Sequence, residues 1–141
     1  MNSCDRFDLP LSTTSDEALR LYCDGVDQLL AVQANSLDTL EQSIAIDPQF
    51  ALAHIAKARA LHVRAQASEA RQAAAIARER VVGTTERESQ HVEILALLIE
   101  SRPAKALTLL LKHCSQWPRD ALPMSIALGA IGLFAFSGRP D

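Results

Sequence analysis

The amino-acid sequence predicts an all-α protein: a right-handed array of antiparallel helix pairs with about seven helices. Three observations carry that reading. Hydrophobic residues make up 48% of the 141-residue chain and aromatics only 4%, so the apolar content is mostly Ala and Leu, the strongest helix formers. The 5 Gly and 6 Pro fall mostly between periodic apolar segments. Pro48 and Pro118 lie 70 residues apart, close to two of the ~34-residue periods of a helix–turn–helix repeat. Each ends a helical stretch, "SLDTLEQSIAIDP" and "AKALTLLLKHCSQWP", and a Pro there cannot continue the helix before it.

The elements follow in order. Helices are expected at about Asp16–Val32, Leu37–Ile46, Phe50–Gln66, Glu69–Val81, Glu86–Glu100, Pro103–Gln116 and Ala121–Phe136. They make three pairs and one unpaired C-terminal helix, within a single domain over residues 15–141 that follows an extended segment at 1–14. Thr14-x-x-Glu17 and Thr85-x-x-Glu88 read as capping boxes. Ser36 and Ser68 read as N-caps of second helices. Pro103 suits a first turn, where its missing N–H costs nothing. Gly83 and Gly138 follow apolar runs as C-cap glycines.

Charge and cysteine content exclude more than they indicate. The net charge is −3. Nine acids stand against Arg6 and Arg20 up to Phe50, whereas six bases face two acids from Ala51 to Arg80, a bias that solvated helix faces explain. The basic part has no stacking aromatics, which argues against nucleic acid. Cys4, Cys23 and Cys114 are too few and too scattered for a disulfide framework or a zinc site. The N-terminus lacks a basic region followed by an apolar run, and "ALPMSIALGAIGLFAF" is shorter than the ~20 residues of a membrane span. A cytoplasmic protein without a cofactor is expected.

The stretch "PQFALAHIAKARAL" resembles the start of a tetratricopeptide repeat, with Phe50 as the aromatic after the joint Pro, His54 where Trp is usual and Ala58 at the small position. Ser36, Ala70 and Ala106 recur at close to one period. Across nearly the whole chain, "DLPLSTTSDEALRLY", "DPQFALAH", "TERESQHVEILALL" and "RPAKALTLLLKHCSQWPRDAL" resemble, in order, the N-terminal part of the tetratricopeptide repeat protein 38 family and its bacterial relatives. The resemblance implies a helical-repeat protein without a defined biochemical activity. Family members continue with further repeats, so an N-terminal fragment of a longer protein is the alternative.

By analogy with that repeat, first helices line a concave groove, and Arg59, His62, Glu88, His91, Leu95 and Ile99 are expected to edge it. The expected function is a non-catalytic protein–protein interaction scaffold that receives a peptide or helix there. A metal or small-ligand enzyme using His54 and His91 is the lesser alternative. Glu88-x-x-His91 is half of a di-iron pattern whose second half the sequence lacks. No nucleophile or phosphate-loop motif occurs. The apolar C-terminal helix, left without a partner, is expected to form a homodimer through Leu128, Ile131, Leu133, Phe134 and Phe136.

Overall fold

The computed structural model describes residues 3–5 and 7–126. Helix is the dominant structure among them: α1 (Asp16–Leu30), α2 (Ser36–Ile46), α3 (Ala51–Val63), α4 (Ala67–Arg80), α5 (Glu86–Ile99) and α6 (Pro103–Gln116), with a further helical stretch beginning at Ala121. α1 packs on α2, α3 on α4 and α5 on α6, and α3 also meets α1, α2 and α5. The position of α3 explains its composition. Nine of its thirteen residues are buried, and five of those nine are alanines, so neighbours can approach it from several sides with little side-chain bulk between.

The repeat is visible in the turns. The residues preceding α1, α3 and α5 are Ser15, Phe50 and Thr85, spaced by a constant 35 residues. The turns inside the pairs are alike. Val32, Ala65 and Ser101 each adopt a left-handed backbone, with φ of 57°, 62° and 61°. The following amides of Gln33, Gln66 and Arg102 reach back to the carbonyls of Gln28, Leu61 and Leu97. This is the Schellman arrangement that satisfies the last carbonyls of a helix. It is built here without glycine, at a cost of roughly 1–2 kcal/mol per residue.

These turns deliver the chain directly into the next helix. Ser36 and Ser68 are therefore helical residues rather than caps, and neither α2 nor α4 has a side-chain cap hydrogen bond. α1 is capped by Ser15, whose Oγ accepts from the Ala18 amide, instead of by Thr14. The expected capping box of Thr85 and Glu88 is present at α5, and Pro103 opens α6. Gly83 takes a left-handed position, φ 85°, in the turn before α5.

The N-terminal segment is a small hairpin and not simply extended. Ser3 pairs with Leu11 and Cys4 with Pro10, and the Asp5 carboxylate closes the turn by accepting from the amides of Phe7 and Leu9. Leu9 and Leu11 are buried. Beyond the hairpin, Thr13 Oγ1 donates to Asp47 at 2.6 Å. The chain thus crosses from the start of α5, where Ser12 meets Glu88, to the first joint before α1 begins.

Candidate functional site

The start of α5 and the end of α6 enclose the main buried polar cluster among the described residues. Asp120 follows the Pro118 joint and is 3% exposed. Its carboxylate receives Nδ1 of His91 at 2.9 and 3.1 Å and Nε2 of His113 at 2.8 Å. Nη1 of Arg87 lies 3.2 Å away as an ion pair without hydrogen-bond geometry, while Nη2 donates to the Pro10 carbonyl at 2.8 Å. Nδ1 of His113 meets Gln90 Oε1 at 3.1 Å, and Gln90 in turn donates to Glu86. Nε2 of His91 is buried without a partner among the described residues.

The electrostatics follow from this geometry. Burial alone would raise the Asp120 carboxyl. The positive charge His91 can carry, hydrogen bonds from His113 and His91, and the Arg87 guanidinium outweigh it and hold the carboxyl well below the usual range. Tyr22 of α1 faces the same carboxylate. Burial, and then the Asp120 charge, push its phenol well above its ordinary value.

Glu88 is held separately. Its carboxylate accepts from the Ser12 amide at 2.7 Å, the Ser12 hydroxyl at 2.6 Å, and the Thr85 amide and hydroxyl at 3.1 and 3.0 Å. Glu88 and His91 therefore turn to different partners, and among the described residues no group of His, Cys, Asp and Glu fits a metal ion. His54 Nε2 meets the Pro48 carbonyl at 2.7 Å, so His54 and His91 serve different joints.

The six groove positions divide. Glu88, His91, Leu95 and Ile99 are buried at 3% exposure or less: Ser12 meets Glu88, Asp120 meets His91, and Leu95 and Ile99 belong to the same core as Leu11 and Leu122. Arg59 and His62 remain partly exposed. An Arg59 Nη1 donates to His62 Nδ1 at 2.9 Å. Burial, then the Arg59 charge, lower the His62 imidazole. Arg59 sits in a cleft of about 430 Å³ walled by Leu29, Leu30, Ala60, Val63 and Leu122. Leu128, Ile131, Leu133, Phe134 and Phe136 lie outside the described residues.

Asp120, Arg87, His113 and Tyr22 were not anticipated from the sequence, although a signal existed. Asp120 stands 35 residues after Thr85 and 70 after Phe50. At the first joint that position is an aromatic ring packed 5.0 Å from Tyr22; at the second it is a carboxylate. Ser43 and His113 are likewise 70 residues apart. Ser43 donates to the Ala18 carbonyl where His113 reaches Asp120. An apolar joint and a polar joint occupy equivalent places.

Among the described residues no helix is long and apolar enough to cross a membrane. Compared with protein-family models, curated proteins and solved structures, the chain matches none.

Proposed function

We propose that the chain is a non-catalytic protein–protein interaction scaffold of tetratricopeptide type, a right-handed array of antiparallel helix pairs that receives a peptide or helix. The constant 35-residue spacing of first helices and the three like turns support the array. The observation that carries the binding role is the cleft between the end of α1 and α3. It joins an apolar wall to Arg59, whose partner among the described residues is the His62 ring rather than a carboxylate. A partly buried guanidinium left without an anion is an expense that a partner's acceptor groups would relieve. The functional surface is thus narrower than the groove expected from the sequence, with Arg59 and His62 at its centre.

Affinity capture with wild type and Arg59→Glu, at equal helical circular dichroism, tests this reading. A specific partner lost on substitution is expected; a partner retained equally by both proteins would move the site elsewhere. Self-association through Leu128 and Phe134 belongs to the same reading. Light scattering of Leu128→Glu/Phe134→Glu against wild type tests it, a persistent wild-type monomer being the contrary result.

A further inference from the structure

We propose that the outer face of α6 is a docking surface for a partner helix that carries an apolar stripe edged by carboxylates. The surface lies apart from the Arg59 cleft and does not depend on it. The second helices of the three pairs begin their buried stripes at Ser36, Ala70 and Ala106. One residue beyond each stand Leu37, Arg71 and Leu107, and five beyond stand Glu41, Ala75 and Leu111. Among these described second helices, α6 alone has leucine at both places. Leu107 is 40% exposed and Leu111 62%. Beside them opens a cleft of about 260 Å³ walled by Leu98, Pro103, Ala104, Leu107, Leu110 and Ile126, with no charged residue in its lining. Exposed leucines beside a concave, uncharged cleft are the usual mark of a surface that another molecule covers.

Charge identifies the occupant. α6 contains no acid, and its Lys105 and Lys112 are exposed. Among the described residues neither lysine has an ion-pair partner. They stand seven residues apart, about two turns or ~10.5 Å along one edge of the helix. Ala104 lines the apolar cleft and also a second depression that reaches Lys105, Thr108 and Lys112. The apolar wall and the lysine edge are therefore continuous. An amphipathic helix laid along α6 would seat its apolar side chains against Leu107 and Leu111 and bring carboxylates, two turns apart, to the lysines. A second copy packed antiparallel on this face would instead bring the lysines of both copies to one edge, where they repel. A lipid surface would meet a concave cleft, and α6 has no Trp, Tyr or Phe to seat it among headgroups.

Two synthetic helical peptides of about five turns serve as probes. Both carry leucine at i, i+4, i+7 and i+11; along the flanking edge one has glutamate at seven-residue spacing and the other lysine. Fluorescence anisotropy at low salt is expected to show the glutamate peptide binding the intact chain about tenfold or more tightly than the lysine peptide. Lys105→Glu/Lys112→Glu is expected to invert that order, which a loss of folding could not do. Leu107→Ser/Leu111→Ser, at exposed positions, is expected to weaken the glutamate peptide by about tenfold or more at unchanged circular dichroism, whereas Arg59→Glu leaves it bound. Absence of binding by the glutamate peptide, an order that the lysine exchange does not invert, binding that survives the loss of both leucines, or binding lost in Arg59→Glu would overturn the proposal. Wild-type self-association abolished by the leucine substitutions would give the face to a second copy, and binding to phosphatidylserine vesicles abolished by them would give it to a lipid surface; either result overturns the proposal as well. If the leucine variant does not fold, the lysine exchange decides.

Discussion

His113 Nε2 stands 2.8 Å from Asp120 Oδ2 across the turn that ends α6, and both side chains are at least 96% buried. Arg87 and His91 approach the same carboxylate from α5. A carboxylate taken out of water must be matched by charge and hydrogen bonds, and removing it strands its partners. Asp120→Ala is therefore expected to cost on the order of 3–5 kcal/mol, read as a lowered denaturation midpoint. A loss below about 0.5 kcal/mol, within the range of ordinary surface substitutions, would mean that the cluster does not form.

The second expectation concerns close packing. A methyl group on Gly25 would stand 2.6 Å from Leu40 Cδ2 and 2.7 Å from its Cγ, and Leu40 is fully buried. Alanine improves helix propensity by about 1 kcal/mol, but forcing Leu40 aside costs about 1–3 kcal/mol. Gly25→Ala is expected to lower stability on balance. Ala70→Leu, at a fully buried position of α4, is expected to cost a similar ~1–3 kcal/mol. Urea denaturation checks both, and an unchanged midpoint for the pair would contradict the helix register.

The N-terminal segment is fastened by Ser12 to Glu88 and by Arg87 to the Pro10 carbonyl. Glu88→Gln keeps the size but loses the charge that four donors share. It is expected to cost about 1–3 kcal/mol and to raise proteolysis between Leu9 and Thr14. Cleavage at the wild-type rate, with stability unchanged, would show that the Glu88 charge does not hold the segment.

Acid sensitivity is expected from His54, His62 and Asp120. His54 and His62 are both lowered, chiefly by burial, which disfavours their charged forms. The unfolded chain binds those protons more readily, so their contribution is present above the ordinary imidazole value of about 6.5 and is lost as pH falls below it. Asp120, also lowered, contributes above the ordinary carboxylate value of about 3.9 and loses that contribution as pH falls further. Thermal unfolding is expected to show two acid losses, the upper one diminished in His54→Asn/His62→Asn. A single loss confined to the carboxylate range would contradict this.

Much of the helical order was legible in the sequence because local chemistry sets it: the capping box of Thr85 and Glu88, Pro103 in a first turn, and the joint prolines Pro48 and Pro118 act through neighbours in the chain. The left-handed residues Val32, Ala65 and Ser101 were not foreseen, since no glycine marks them; all three are exposed, and the amides that follow them close the helix ends. The burial of Glu88, His91, Leu95 and Ile99 was not legible for a related reason. Glu88 is met by Ser12, some 76 residues away, and His91 by Asp120, 29 residues away, while Leu95 and Ile99 join the main core. Helical periodicity tells which residues share a face; it does not tell what covers that face. The departure of Asp120 from the aromatic seen at Phe50 was the available clue.

The most direct measurement of whether the Asp120 cluster ties α6 to the chain beyond it is a double-mutant cycle on Asp120→Asn and His113→Gln by chemical denaturation at neutral pH. Residues in one buried network are coupled, whereas independent sites add to within about 0.3–0.5 kcal/mol. A coupling energy of about 1 kcal/mol or more is expected. Additive losses would contradict it and would show that His113 does not tie α6 to Asp120.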